Sequence, residues 1–301
     1  MKLLSGLVCL AGIVSAVVSS TCRLVSLSGG GSHGAFEAGV LSRIVEREDF
    51  QPWDVTVGVS AGSLGVLSLL KDDYEANMEY VRRMWWGTRT SDVLSPLSSD
   101  TALSGNEKVM HLIDDTYMHL KGSRSGGVFR VGVTDLETGK FVSLPLLSDP
   151  PDLTRVLAST SIPVVFPPVE IPHLGRLFVD GGLQTNEMIF SALPFCPSGT
   201  KDYEMDLIFA YFEGNDYHPS DWNLITIALR AVDLVTKEFN NLLFKTLGDC
   251  REGKSDGRIT IRLHMPGRDS PSSRISTLDF DHGEELWKLG FYNSTVTVLR
   301  C

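Results

Sequence analysis

The pentapeptide Gly58-Val59-Ser60-Ala61-Gly62 sets a serine between two glycines, each two residues away. When such a run joins a strand to a helix, the sharp turn thrusts the hydroxyl out of the sheet, and larger flanking residues would collide there. The serine then sits at a helix N-terminus, where free N–H groups and the positive dipole end favour developing negative charge. Those are the requirements of a nucleophile. A second run, Gly30-Gly31-Ser32-His33-Gly34, satisfies the same pattern, so the pattern alone does not choose between Ser32 and Ser60. The glycines decide it: Gly29, Gly30 and Gly31 in succession leave backbone N–H groups bare, which suits cradling an anion better than mounting one fixed side chain. Ser60 is therefore the candidate nucleophile, and Gly29, Gly30 and Gly31 form the candidate oxyanion hole. The same glycines spell G-x-G-x-x-G through Gly34, but a dinucleotide site wants an acidic residue at the end of the second strand, and Asp54 stands at its start.

These groups need strand, turn and helix units to hold them. Residues 23–28 read as a strand, and an apolar face of Ala35, Phe36, Val40, Leu41, Ile44 and Val45 predicts a helix after the glycine turn. The unit repeats with a strand over 54–59 and a helix over 61–70. Further helices are predicted at 72–86, 152–160, 222–247 and 282–291, and strands at 128–134, 140–144, 176–180, 205–212 and 258–265. Alternation of this kind predicts an α/β fold with a parallel-rich sheet covered on both faces. The Gly- and Ser-rich pieces at 95–106, 121–127, 248–257 and 266–276 read as surface loops.

Taken in order, the segments Gly29 to Gly34, Gly58 to Gly62 and Asp180-Gly181-Gly182 resemble the patatin-like phospholipase family. So does Ala158-Ser159-Thr160-Ser161-Ile162-Pro163 with Phe166-Pro167-Pro168, just ahead of the aspartate. The likeness runs from about residue 23 to the last helix. It implies a three-layer α/β/α sandwich with a mostly parallel central sheet, and a dyad in which Ser60 attacks an acyl ester of a membrane lipid and Asp180 acts as base. It implies phospholipase A or lysophospholipase chemistry with peripheral membrane contact, no metal and no cofactor. An ordinary aspartate pKa of about 3.9 matches a serine hydroxyl poorly. The apolar residues Leu177, Phe178 and Val179 before Asp180 point to desolvation that raises it. One departure is His33, where the family usually has Lys or Arg. It is expected on the first turn of a helix, facing solvent, with a charge that changes between about pH 5 and 8.

Two other functions fit the same residues: an α/β-hydrolase esterase in which His218, His264 or His282 completes a triad with Ser60, and a lipid-binding or storage protein on the same fold. Substrate contacts are less legible. Trp85, Trp86, Val164, Val165, Phe166, Ile189 and Phe190 could line an acyl groove, though apolar residues at such spacing are more often core.

Composition narrows the rest. The 301 residues carry Lys+Arg 27 against Asp+Glu 37 for a net charge of -10, which argues against a nucleic-acid surface or purely electrostatic docking on anionic lipid. Lys2, an apolar stretch from Leu3 to Val18 and then Ser19, Ser20 and Thr21 resemble a secretory signal peptide over residues 1–20, with an uncleaved anchor as the other reading. That leaves one acyl-hydrolase domain over 21–301, secreted or in an endomembrane lumen. Cys22, Cys196, Cys250 and Cys301 then allow three disulfide connectivities or four free thiols, and Asn293-Ser294-Thr295 is a glycosylation sequon on such a route. No spacing of metal-ligand type is present.

Overall fold

The computed structural model describes residues 21–95, 101–146, 150–210, 222, 224–251, 258–267, 270 and 275–301. The expected signal peptide at 1–20 and His218 lie outside the described residues. The strands are β1 (Thr21–Leu27), β2 (Val55–Val59), β3 (Val128–Asp135), β4 (Phe141–Pro145), β5 (Val169–Ile171), β6 (Arg176–Asp180), β7 (Asp202–Ile208), β8 (Ile259–Met265) and β9 (Thr295–Arg300). The helices are α1 (Gly34–Val45), α2 (Ala61–Ser68), α3 (Tyr74–Gly87), α4 (Thr90–Val93), α5 (Glu107–His119), α6 (Thr154–Thr160), α7 (Ile189–Ala192), α8 (Leu224–Arg251) and α9 (Gly283–Asn293).

All nine strands join one sheet in the order β5-β6-β3-β2-β1-β7-β8-β9, with β4 paired to β3. The centre, from β3 through β8, is parallel, and the strands outside it are antiparallel. The central strands read as nearly unbroken apolar runs because both faces are covered. On one face Val25, Leu27 and Phe129 pack against Phe36 and Leu41 of α1, Leu67 of α2 and Ile113 of α5. On the other, Leu24, Val55, Val57 and Val59 pack with Ile189 of α7 and Leu243 and Leu247 of α8. The result is the expected three-layer α/β/α sandwich.

Register brings the candidate residues to one edge. Leu27, the last residue of β1, pairs with Gly58, so the glycine turn after β1 and the serine turn after β2 emerge side by side. Val59 pairs with Gly132, while the antiparallel β6 places Asp180 opposite the next residue, Val133. Two segments more than a hundred residues apart thus reach the same few ångströms of sheet edge through backbone pairing alone.

Several elements differ from the sequence expectation, the unpredicted short helices α4 and α7 among them. α5 had no forecast, because its buried stripe of Val109, Ile113 and Thr116 lies among seven charged or polar neighbours. β9 was missed although Thr295-Val296-Thr297-Val298 alternates, because an edge strand with Val296 and Val298 exposed lacks a buried face. β7 begins and ends earlier than the predicted 205–212, and α8 continues through residues 248–251, which had read as loop. Among the described residues, no helix is long and apolar enough to cross a membrane.

Cys22 and Cys196 form a disulfide with Cα atoms 5.9 Å apart and a sequence separation of 174. Cys301 is disulfide-bonded too. Closing a loop of that length removes chain entropy worth about 5 kcal/mol from the unfolded ensemble. Replacing both Cys22 and Cys196 by serine is expected to lower the unfolding free energy by a similar amount. Urea denaturation of the variant without reductant measures it; unchanged stability would remove the assignment of a structural role.

Candidate active site

Ser60 holds φ 53° and ψ −125°, a left-handed backbone that few non-glycine residues adopt. The strain persists because the surroundings over-determine it. The Ser60 N–H donates to Ser159 Oγ at 2.9 Å, and that hydroxyl donates onward to the Gly132 carbonyl at 2.7 Å. Ser63 Oγ closes on the Ser60 carbonyl. A side chain at Gly58 would run into the Gly62 carbonyl, and one at Gly62 into that of Leu27, which is the steric need the pentapeptide implied. Ser32, by contrast, is fully committed: it is buried, its hydroxyl donates to the Ser276 carbonyl at 3.0 Å and its N–H to the Thr277 carbonyl at 2.8 Å. Ser60 instead lines two cavities.

The glycine turn corrects one expectation. The Gly29 N–H donates to the Asn186 carbonyl at 3.1 Å, so it is spent and does not belong to the oxyanion donors. Asn186 Nδ2 returns a bond to the Gly29 carbonyl at 3.2 Å, locking the turn from both sides. The amides of Gly30 and Gly31 find no acceptor among the described residues, and neither does that of Ala61, the first residue of α2. These three are the N–H groups left to meet an anion beside Ser60. Beneath the turn, Ser28 Oγ donates to Glu37 Oε1 at 2.9 Å and accepts from the Ala210 N–H at 2.8 Å. Burial pushes the Glu37 carboxyl well above the usual range.

Asp180 ends β6 with 5% of its surface exposed. Its N–H donates to the Ser161 carbonyl at 2.9 Å, its own carbonyl accepts from Thr134 Oγ1 at 3.0 Å, and Oδ1 accepts from the Gly182 N–H at 2.8 Å. Oδ2 is buried with no hydrogen-bond partner. Desolvation raises the pKa from 3.8 to about 6, against the smaller opposing pull of the Ser60 hydroxyl and the Gly182 amide. Ser60 is thus near enough to stabilise the carboxylate, yet no bond of ordinary geometry closes on Oδ2. Long or misaligned contacts of this kind are common before substrate binds.

Ser60, Asp180, Asn186 and the three glycines line one cavity of about 80 Å³ together with Ile162, Pro163 and Thr277. Val164, next along, is exposed and holds φ 72°, a backbone that strongly disfavours a β-branched residue. Ser60 also lines a second, apolar cavity with Trp85 and Phe166. The other proposed groove residues divide: Val165 and Ile189 are buried in the two cores, and Trp86 and Phe190 pack against their margins.

The histidines are elsewhere. His33 is 1% exposed, contrary to the expected solvent-facing position, and its Nε2 donates to the Ile275 carbonyl at 3.1 Å. Desolvation lowers its pKa to about 4, so it is neutral between pH 5 and 8 and adds no positive field. His264 is buried against Asp206 at 3.0 Å, where Trp53 Nε1 and Arg262 Nε also donate, each at 2.9 Å. Burial alone would raise the Asp206 pKa, but the His264 and Arg262 bonds outweigh it and hold it at about 2. That cluster lines a separate polar cavity. His282 is exposed beside Asp279 and Glu285. Asn186, Ala61 and Ser159 escaped the sequence reading. Ala61 had a signal in its place directly after the nucleophile, whereas Asn186 and Ser159 act only through distant partners.

The family model described as patatin-like phospholipase matches residues 25–193, more than half the chain and every residue lining the cavity with Ser60 and Asp180 except Thr277. Among solved structures, the chain is similar to VipD from Legionella pneumophila, with a TM-score of 0.40 and 13% sequence identity over 92% of this chain and 68% of that one. No curated protein matches it in sequence.

The raised Asp180 pKa carries a stability consequence. Well below pH 3.8 the carboxyl is protonated folded or unfolded and costs nothing; above it the unfolded chain ionises while the folded carboxyl keeps its proton, and the cost grows until it levels off above about pH 6, on the order of 3 kcal/mol. Asp180→Asn is therefore expected to be more stable than the parent at pH 8, with the difference vanishing by pH 3.5. Thermal unfolding of both proteins across that range checks it, and a difference independent of pH would contradict it.

Proposed function

The chain belongs to the patatin-like phospholipase family, a family of lipid acyl hydrolases, and we propose that it cleaves acyl esters of lipids with a Ser60–Asp180 dyad. In acylation, Ser60 Oγ attacks the ester carbonyl while its proton passes to Asp180 Oδ2. The amides of Gly30, Gly31 and Ala61 receive the tetrahedral oxyanion. As the intermediate collapses, the C–O bond to the alcohol breaks and Asp180 returns the proton to the departing alkoxide, leaving an acyl-Ser60 ester. Water then attacks that ester, Asp180 takes its proton and gives it back to Ser60, and the fatty acid departs.

One observation carries the reading: Asp180 is the single ionisable side chain, among the described residues, in the cavities at Ser60. Its buried, unpartnered Oδ2 and a pKa raised to about 6 are what a carboxylate base for a serine needs. The substrate is read as a phospholipid or lysophospholipid met by peripheral contact with a bilayer. The Cys22–Cys196 bond supports an oxidising compartment, so the enzyme is read as secreted or lumenal, with an uncleaved N-terminal anchor as the other arrangement. Among the triad candidates, His264 and His282 stand away from the Ser60 cavities, which favours the dyad.

Ser60→Ala and Asp180→Asn are each expected to reduce hydrolysis of a soluble ester by at least a thousandfold in a folded protein, while His264→Ala and His282→Ala keep it within a few-fold. Loss of activity in a folded histidine variant would replace the dyad with a triad. A fluorophosphonate probe should label Ser60 in the native protein but not the denatured one; equal labelling would instead favour a binding or storage role.

The base must be ionised to accept a proton, so kcat/KM is expected to rise through about pH 6 and level off above it. A pH profile flat from 4 to 8 would dissociate Asp180 from the rate.

A further inference from the structure

Two peptide units carry the free amides of the glycine turn. In each the carbonyl fixes the direction of the N–H, because C=O and N–H point opposite ways in a planar trans peptide. The Gly31 N–H shares its peptide with the Gly30 carbonyl, which accepts from the His33 N–H at 3.1 Å. The turn that opens α1 therefore aims the Gly31 amide. The Gly30 N–H shares its peptide with the Gly29 carbonyl, and no backbone donor among the described residues reaches that oxygen. Asn186 Nδ2 does, at 3.2 Å.

We propose that Asn186 is a positioning residue for the oxyanion hole: by holding the Gly29 carbonyl it turns the Gly30 N–H towards the cavity that Gly30, Ser60 and Asp180 line. The proposal rests on the reading of Ser60 as nucleophile. Ser28 Oγ also lies 3.3 Å from the Gly29 carbonyl, but a hydroxyl has one hydrogen, and Glu37 Oε1 at 2.9 Å is the nearer acceptor. Asn186 is the donor that remains.

The side chain is built into the fold. Asn186 is buried, and its main-chain carbonyl accepts from the Gly29 N–H at 3.1 Å, so one residue grips Gly29 at both ends. A Cβ on Gly29 would sit 2.5 Å from Asn186 Oδ1 and 3.0 Å from Ser60 Cβ. The first glycine of the run thus serves the close approach of the asparagine and not a free amide. The segment around Asn186 is itself pinned. The Thr185 N–H donates to the Gly181 carbonyl at 3.1 Å, directly after Asp180, and the Met188 N–H to Ser26 Oγ of β1 at 3.0 Å. Asn186 therefore ties the turn that carries the oxyanion amides to the turn that carries the base. With Nδ2 gone, the peptide between two glycines turns about their permissive torsions, and the Gly30 N–H loses its aim.

The test compares the purified full chain with Asn186→Leu, which is close to isosteric and keeps the main-chain carbonyl. Both are assayed on p-nitrophenyl acetate and its thiono analogue, with fluorophosphonate labelling of Ser60 in parallel. Removing an oxyanion donor outright costs roughly 100- to 1000-fold in kcat, and one kept but misaimed is expected to cost roughly 10- to 100-fold, with KM within about twofold of the parent. The parent's preference for the oxygen ester should shrink in the variant, because sulfur is the poorer acceptor of an aimed N–H. A folded variant with parental kcat, a loss confined to KM, or a lower kcat with that preference intact overturns the proposal and leaves the serine hydrolase standing. A second measurement needs no variant: nitrogen-proton correlation spectra of the parent before and after Ser60 is phosphonylated. The Gly30 amide proton should move downfield as it meets the phosphoryl oxygen, and an Nδ2 proton of Asn186 should stay protected from exchange. A downfield shift at Gly29 in place of Gly30, a shift at neither, or rapid exchange of both Nδ2 protons overturns the proposal. A parent that neither hydrolyses the esters nor takes the label removes the hydrolase reading together with it.

Discussion

Keeping the Asp180 carboxyl out of water with one oxygen unpaired is unfavourable, and the nearby architecture is arranged to tolerate it. The backbone on either side is fastened by Ser161 and Thr134, and Gly182 satisfies only Oδ1. Had a lysine or arginine stood beside Oδ2, the charged form would be comfortable and the group a poor base. A second cost sits opposite, in the positive φ of Ser60, maintained by Ser159 and by contacts that only glycine permits at positions 58 and 62. A stable parallel sheet buried on both faces supplies the rigidity that lets both persist.

The glycine turn illustrates how an anion site is divided. Three consecutive amides are too many for one oxyanion, and the fold uses the first as a tether to Asn186 while leaving the next two free. Beneath it burial disfavours the charged form of Glu37, whose carboxyl accepts from the Ser28 hydroxyl. The neutral His33 continues the theme. Among the described residues no cation lines the cavity at the turn, and the groups there that could meet negative charge are backbone dipoles held in place in advance.

Ser60 stood out in the sequence because the requirements of its turn are local, small neighbours above all, whereas Asp180 was singled out only through the family resemblance; the structure brings both to one cavity. The order of strands and helices was legible for the same reason, since each buried run is written in adjacent residues. His33 was misplaced because nothing within a helical turn reveals Ile275, whose carbonyl buries it from 242 residues away. Asn186 was invisible on the same ground, and Ser159, though its segment carried the resemblance, gave no sign of its bond to the Ser60 N–H. His264 looked available as a catalytic base until Asp206, itself held by Arg262 and Trp53, was seen to claim it. Gly29 was assigned a free amide that only the three-dimensional partner could refuse. Function-bearing contacts that cross the chain are thus the ones that residue types cannot announce.

Cys22 opens the first strand, and Cys196 closes the stretch that carries Asp180 and Asn186. Between them the polypeptide is a covalent ring, with every residue from the oxyanion turn to the carboxylate inside it. A protease that severs one peptide bond in that ring, for instance at the exposed turn around Gly139, therefore yields a nicked chain and not two separable fragments. Ser60 and Asp180 therefore stay within one covalently joined molecule after such a cut, until a reductant opens the ring.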